Sequence, residues 1–246
     1  MRAVYSLQGP LSSDPKWARG ASGDSFEVVS GPAQTTQAVG IDLGATAIYA
    51  VKVMVGEAVS VVDARVYLPE ALDGLVAFCA GSSAVAIDSP AGPSVGAHYR
   101  DMDVPPKFRS ARCSEVASWE APDVPAVPWT TPLASVDPPG WMATGFRVWQ
   151  ALSRHQPMEV YPYACFYRLN GSKRPPSKQQ PEGRLRRAEL LRRWLDLPLG
   201  IEVWSHDGLD ATVAALVAAQ GRKGADLVPH QCAHHDGSEL WVVADS

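Results

Sequence analysis

The amino-acid sequence predicts an α/β layer fold built on a mixed sheet. Three consecutive strand-like segments precede the first helical segment, and the later strands alternate with helices. The later segment AVAID (84–88) is short and nearly all apolar, which is typical of a parallel strand covered on both faces. The 246 residues are 46% hydrophobic and 20% charged, as expected for one globular domain with a substantial core.

The first part of the chain divides into a leader and a meander. Residues 1–36 are rich in Gly, Ser, Pro, Gln and Thr without a period, which predicts a disordered leader before a domain over residues 37–246. Glycine-bounded runs rich in Val, Ala and Tyr predict the meander strands. The predicted strands of the whole chain are 38–44, 47–54, 59–68, 84–88, 158–162 and a closing edge strand at 239–244.

Helical periodicity marks the remaining elements. A proline-rich insertion at about 90–139 contains ten prolines and is interrupted by a short helix near 109–119. The run after Asp210 is almost wholly apolar, which predicts a buried last helix. The other predicted helices are 68–81, 140–155, 182–195 and 205–220; in 182–195 we expect the arginines to face outward and Leu185, Leu190, Leu191 and Trp194 to face inward.

Carboxylates stand at unusual places in this pattern. Asp42 lies in an apolar strand, Asp88 ends another, and Glu159 lies in a third. Ionised carboxylates in apolar strands are costly unless they are paired, hydrogen-bonded or bound to a cation. If the first, fourth and fifth strands are adjacent, their C-terminal ends meet at one edge of the sheet, where ligands bind in open α/β sheets. Asp207 and Asp210 add an i, i+3 pair on the last helix.

These five acids together predict a site for Mg²⁺ or Mn²⁺ that hydrolyses phosphodiester bonds. We expect Asp42 to bridge two ions, Asp88 and Glu159 to bind one each, and Asp210 to complete the site with help from Asp207. Single residues also have simpler interpretations. Asp42 could cap a turn, Asp88 could start one before Ser-Pro, and Asp207 is a natural helix N-cap.

The order strand-Asp, strand-Asp, strand-Glu and helix Asp-x-x-Asp resembles the RNase H-like, RuvC-type superfamily. More closely, residues 38–244 resemble the family catalogued as domain of unknown function 429 (DUF429), predicted nucleases of that fold. The resemblance implies a mixed five-stranded sheet with helices on both faces and a nuclease without an assigned substrate. The segments that carry it are VGIDLG (39–44), AIDSPAG (86–92), Arg-x-x-Arg-Cys-x-Glu (109–115), EVYPYACFYRL (159–169), HDGLDA (206–211) and DGSELWV (236–242).

Charge is unevenly distributed over a chain whose net charge is −4. The stretch 168–193 holds nine basic and two acidic residues, a net charge of +7, which can attract a polyanion such as DNA or RNA. The residues expected to contact substrate phosphates are Lys173, Arg174 and Lys178 on a polar loop, and Arg112. A solvated helix face with a mobile loop is the simpler interpretation of the same charges.

Two other functions stay open at this stage. GIDLGAT (40–46) resembles the first phosphate loop of actin-like sugar kinases and Hsp70 ATPases, although the second half of that fold is not seen in the sequence. A non-catalytic relative that binds nucleic acid or protein is the other alternative. The tail HQCAHH (230–235) has no standard zinc spacing and predicts an exposed connection.

Cellular location is predicted from absences in the sequence. No run approaches the ~18 apolar residues of a membrane span, and no secretory signal is visible at the start. The four cysteines form no CxxC pair, which argues against a disulfide scaffold and favours the cytoplasm.

Overall fold

The computed structural model describes residues 35–44, 46–201, 204–229 and 235–244. The predicted leader over 1–36 falls almost wholly outside these residues, and so does most of the HQCAHH segment. Within the described residues, no helix is both long enough and apolar enough to cross a membrane.

A mixed five-stranded sheet forms the centre of the fold, in the order β3-β2-β1-β4-β5. The first three strands are an antiparallel meander, and β4 and β5 extend the sheet in parallel with β1. The first, fourth and fifth strands are therefore adjacent, which meets the condition under which their C-terminal ends come together. The strands are β1 (Thr36–Leu43), β2 (Ile48–Val55), β3 (Val59–Tyr67), β4 (Ala84–Asp88) and β5 (Met158–Glu159).

Helices cover both faces of this sheet, as predicted. The strand order and directions, together with this arrangement, are those of the RNase H-like fold. Short 3₁₀ turns at Pro106–Phe108 and Ser153–His155 accompany the helices. The helices are α1 (Leu72–Cys79), α2 (Cys113–Glu120), α3 (Gly140–Ala151), α4 (Pro162–Leu169), α5 (Pro181–Leu191) and α6 (His206–Gly224).

The pleat of β1 divides the core into two parts, because alternate side chains of a strand point to opposite faces. Val39, Ile41 and Leu43 pack with residues of α1 and α3 on one face. Ala38 lies on the opposite face, in the core that contains α4, α5 and α6. Asp42 has the same pleat parity as Ala38 and therefore lies on the α6 face.

Helix α6 crosses directly over β1 at Gly40. A Cβ atom at Gly40 would overlap the backbone of Ala211 and Ala215 in α6, so only glycine allows this approach. The side chains of α6 from Gly208 to Ala218 are all buried, which confirms the predicted buried last helix. This close contact brings the first turn of α6 to the end of β1 that carries Asp42.

Helix α5 differs from its prediction. The expectation that Leu185 faces inward and every arginine faces outward is wrong, because Leu185 is 48% exposed and Arg187 only 2%. The Arg187 guanidinium lies 5.1 Å from the Phe166 ring centroid, and Nη1 donates to the Pro176 carbonyl at 3.1 Å. The ring and the carbonyl replace water around this cation, and so a charged residue occupies the inner face.

The end of the chain forms less sheet than predicted. In place of a strand over 239–244, β7 (Trp241–Val242) pairs with β6 (Asp226–Leu227) in a separate two-stranded antiparallel sheet. One bridge, between Val160 and Trp241, connects this tail to the chain leaving β5.

The cysteines are in different states. Cys79 and Cys165 are free and buried, whereas Cys113 at the start of α2 is disulfide-bonded. The prediction of a chain without a disulfide scaffold thus has one exception, at the beginning of this helix.

Candidate functional site

Two carboxyl groups meet where β1 and β4 end. Asp42 and Asp88 are direct register partners in this parallel pair, so their side chains lie on the same face of the sheet. A hydrogen bond joins the two carboxyl groups. Asp42 is only 4% exposed, so the pair lies at the edge of the core, with little contact with water on the Asp42 side.

The first turn of α6 brings two more acids to the pair. Ser205 caps this helix, since its hydroxyl accepts a hydrogen bond from the Gly208 N–H at 3.1 Å. Asp210 is 3% exposed, and its negative charge acts on both Asp42 and Asp88. Asp207 is less buried and adds to the field at Asp42. We call Asp42, Asp88, Asp207 and Asp210 the acidic cluster.

The acidic cluster cannot hold four full negative charges without a compensating cation. Burial raises the pKa of Asp42 well above its ordinary value, and the neighbouring charges of Asp88 and Asp210 raise it further. Burial also raises the pKa of Asp88 to about 7, against the opposing effect of its hydrogen bond with Asp42. Burial raises the pKa of Asp207 as well. Asp42 and Asp88 therefore share a proton near neutral pH.

Lys178 supplies a positive charge to this cluster. Its Nζ lies 2.7 Å from Oδ2 of Asp210, and the charges of Asp210, Asp42 and Asp88 raise its pKa against the lowering effect of burial. The Lys178 side chain is 40% exposed, so the ammonium can also reach solvent. The bond from Arg187 to Pro176 holds the loop that carries Lys178.

The donor set of the acidic cluster suits a hard divalent cation, because carboxylate oxygens are the ligands that Mg²⁺ and Mn²⁺ prefer. As the side chains stand, no group of three or more His, Cys, Asp or Glu among the described residues is arranged to hold a metal ion. Asp42 and Asp88 are hydrogen-bonded to each other, and Asp210 is bonded to Lys178. Binding a cation thus requires loss of the shared proton and release of Lys178.

Glu159 is paired with an arginine and is not a member of the acidic cluster, although its charge acts on Asp88. It pairs in register with Ile87, not with Asp88. Arg112 binds it through both terminal nitrogens, with Nη1 2.7 Å from Oε2, and the Ala91 N–H donates to the same oxygen at 3.1 Å. The structure therefore brings four of the five predicted acids together and pairs the fifth with a guanidinium.

Arg112 belongs to a buried network, in contrast to the predicted contact with substrate. It is 3% exposed, and Glu115 accepts a hydrogen bond from its backbone N–H at 3.2 Å. Glu115 also accepts bonds from the backbone N–H and the hydroxyl of Thr131. The network of Arg112, Glu115, Thr131 and Glu159 thus connects α2, the proline-rich insertion and β5.

Lys173 and Arg174 are exposed, which leaves them accessible to a polyanion. Nδ1 of His206 lies against Oδ1 of Asp207, beside the acidic cluster. The sequence reasoning missed Tyr161, which precedes α4 and whose hydroxyl is influenced by Asp88 and Asp210. Its position directly after β5, at the edge of the sheet where the carboxylates meet, could have indicated that Tyr161 lies near them.

Comparisons with known proteins agree with the predicted family over part of the chain. The model of a family described as a protein of unknown function (DUF429) matches residues 142–233, which contain Lys178, Asp207 and Asp210. A search of curated proteins finds no match.

Solved structures of RuvC from Thermus thermophilus are similar to this chain at low identity. RuvC in complex with a Holliday junction substrate has a TM-score of 0.40 and 14% identity, covering 77% of this chain and 97% of that one. A second Thermus thermophilus RuvC structure has a TM-score of 0.37 and 16% identity, with the same coverage. The strand order and directions of the sheet define the fold.

Proposed function

We propose that this DUF429-like chain is a nuclease that hydrolyses phosphodiester bonds of a nucleic acid with Mg²⁺ or Mn²⁺ at the acidic cluster. The observation that carries the proposal is the meeting of Asp42, Asp88 and Asp210 at the C-terminal edge of the parallel strands. Three carboxyl groups that share a proton at this place need a cation to be fully ionised.

Asp42, Asp88 and Asp210 are the residues that would hold the cation, with Asp207 at the more exposed side. A bound divalent ion would supply Lewis-acid stabilisation of the phosphate and lower the pKa of a bound water. Asp88 must lose its proton to bind the cation as a carboxylate, so cation affinity should increase as the pH rises through its pKa of about 7.

Lys178 has two alternative partners in the proposed mechanism, Asp210 and a substrate phosphate. Without a cation its ammonium neutralises Asp210, at 2.7 Å. When a cation takes over that role, the side chain is free to turn toward solvent and meet a substrate phosphate, together with the exposed Lys173 and Arg174. His206, paired with Asp207 through Nδ1, is placed to carry a proton between the cluster and solvent.

Glu159 and Arg112 have no direct part in the proposed chemistry. Their mutual ion pair is buried and satisfied, so neither charge is available to a cation or a phosphate. The proposal therefore keeps four of the five acids that the sequence predicts as ligands and assigns Glu159 to the structure.

The test is hydrolysis of a panel of labelled DNA and RNA substrates, each as single strand, duplex and branched junction, with Mn²⁺ or Mg²⁺. We expect cleavage that needs the ion and is lost in Asp42→Asn and Asp88→Asn. Asp73→Asn is the matched control, because Asp73 is an exposed aspartate of α1 outside the cluster.

Three outcomes contradict the proposal. Equal cleavage by the wild type and Asp42→Asn would assign the activity to other residues or to a contaminant. Tight ATP binding without nucleic-acid cleavage would favour the phosphate-loop alternative at GIDLGAT. Nucleic-acid binding without cleavage on any substrate would favour the non-catalytic relative.

A further inference from the structure

We propose that a row of four aromatic side chains beside the acidic cluster binds unpaired nucleobases by stacking, so that the preferred substrate is single-stranded or locally unpaired. This inference rests on the proposed function, since it names the substrate class of the same site. The aromatic row consists of Trp141, Trp129, Tyr161 and Tyr163.

The four rings contact one another in sequence. The centroid of Trp129 lies 5.4 Å from that of Trp141 and 5.4 Å from that of Tyr161, with interplanar angles of 78° and 83°. Tyr163 follows at 6.0 Å from Tyr161, tilted by 50°. None of these contacts is a face-to-face stack, and Trp141 and Tyr163 at the two ends each contact one other ring of the row.

The aromatic row has half-buried ends and one buried member beside the acidic cluster. Trp141, Trp129 and Tyr163 are half-buried, whereas Tyr161 is 5% exposed. Tyr161 stands at the end of β5, at the same edge of the sheet as Asp88. Its hydroxyl is close enough to Asp88 and Asp210 for their charges to act on it, although burial is the larger cause of its raised pKa. A base held on the row would therefore place its phosphate near the carboxylates.

The buried network described above holds two members of the row in place. Thr131, which is bonded to Glu115, lies two residues after Trp129. Glu159, which is bonded to Arg112, lies two residues before Tyr161. A buried ion pair adds little stability by itself. Fixing Trp129 against Tyr161 gives this network a role, since rings that are held before binding lose less entropy on binding.

Stacking on aromatic rings selects unpaired bases by a simple physical rule. Every base has a π face, but in a duplex both faces are covered by neighbouring base pairs. Proteins that bind single strands combine aromatic stacking with basic groups that follow the backbone. The exposed Lys173 and Arg174, on the basic stretch between α4 and α5, supply such groups here.

The test measures binding without turnover, by fluorescence anisotropy of labelled oligonucleotides in EDTA. The probes are a single strand, the blunt duplex of the same sequence, and the same strand with abasic positions. The proteins are the full-length wild type, Trp141→Ala, Tyr163→Ala, Trp141→Phe and a control, Trp119→Ala. Trp119 is 39% exposed and stacks on Phe108, outside the aromatic row.

We expect the wild type to bind the single strand more tightly than the duplex or the abasic strand. Trp141→Ala and Tyr163→Ala should each weaken single-strand binding by about tenfold, the usual effect of losing one stacked base. Trp141→Phe should retain most of the affinity because a ring remains, and Trp119→Ala should bind as the wild type does. Circular dichroism of each variant shows whether it is folded.

Equal affinity for the three probes, unchanged binding by both alanine variants, or no binding to the single strand would overturn the inference. These results are independent of hydrolysis, because no metal is present. Base-dependent binding by a protein that cleaves nothing would keep the aromatic row and contradict the proposed nuclease. Cleavage combined with equal affinity for the three probes would support the proposed nuclease and contradict the aromatic row.

Discussion

Asp42 and Asp88 face each other across the parallel pair of β1 and β4, and a hydrogen bond joins their carboxyl groups. A single proton allows two buried carboxyl groups to stand this close, because two full charges would repel each other in a site with little water. The pair is consequently sensitive to pH and to divalent cations, and both can be measured.

Without a divalent cation, the protein should lose stability as the pH rises from about 4 to about 7. The folded pKa of Asp88 is about 7 and its ordinary value is 3.8, so the folded state binds the proton more tightly than the unfolded chain. The resulting stabilisation is complete below the ordinary pKa and is lost as the pH passes the folded one. Urea denaturation in EDTA at several pH values measures this change.

Asp88→Asn supplies the control for this pH dependence, because the amide does not titrate. The difference in unfolding free energy between the wild type and Asp88→Asn should vary over this pH window and level off above it. A difference that stays constant from about pH 4 to 8 would contradict the shared proton.

Replacing Lys178 should strengthen cation binding. The Lys178 ammonium occupies Asp210 at 2.7 Å and repels an incoming divalent ion. Removing an interaction of ~1 kcal/mol corresponds to about a fivefold change in affinity, so Lys178→Met should bind Mn²⁺ about fivefold more tightly than the wild type. Isothermal titration with Mn²⁺ measures the effect.

Lys173→Met is the matched control for Lys178→Met, because Lys173 is exposed on the same loop without a carboxylate of the cluster as partner. It should leave Mn²⁺ affinity unchanged. Weaker Mn²⁺ binding by Lys178→Met would mean that the lysine supports the cation site and does not compete with it.

Gly40→Ala should destabilise the fold strongly. The added methyl group would overlap the backbone of Ala211 and Ala215, and backbone atoms cannot move aside without shifting α6. Overpacking of this kind costs typically ~1–3 kcal/mol, and displacement of α6 would also separate Asp210 from Asp42. Gly92→Ala, where a Cβ would meet no atom within 4 Å, should be nearly neutral. Equal stability of the two variants would contradict the close contact of α6 with β1.

Arg112→Met should cost about 3–5 kcal/mol, because it leaves the Glu159 carboxylate buried without its partner. The double variant Arg112→Met with Glu159→Gln should recover a large part of this loss, since the unpaired charge is then gone. Chemical denaturation of the single and double variants measures the coupling. Additive effects of the two substitutions would show that the two residues do not interact.

The acidic cluster was largely predictable because its signals are local. A carboxylate at the end of an apolar strand stands out in the sequence, and the short fourth strand indicated a parallel position beside the first. Asp42 and Asp88 combine both signals. The buried character of α6 followed in the same way from its apolar run after Asp210.

The position of Glu159 could not be predicted from such local signals. Its local pattern equals that of Asp42, but its partner Arg112 is 47 residues away in the chain. The pleat also places Glu159 beside Ile87, one register position from Asp88, and a two-residue strand gives too little pattern to predict its register.

The prediction that Arg187 faces outward was wrong for a related reason. Periodicity assigns an arginine to the outer face of a helix, whereas the Phe166 ring and the Pro176 carbonyl that surround Arg187 come from other segments. Such tertiary partners decide burial of a charged residue, and the helix sequence by itself does not contain them.

The measurement that tests the account most directly is Mn²⁺ binding to the full-length protein, by isothermal titration at about pH 8, above the pKa of Asp88. The account predicts binding by the wild type and by Asp73→Asn, and loss of that binding in Asp42→Asn and Asp88→Asn, with each variant folded. Absence of Mn²⁺ binding by the wild type, or equal binding by Asp42→Asn, would contradict a cation site at the acidic cluster.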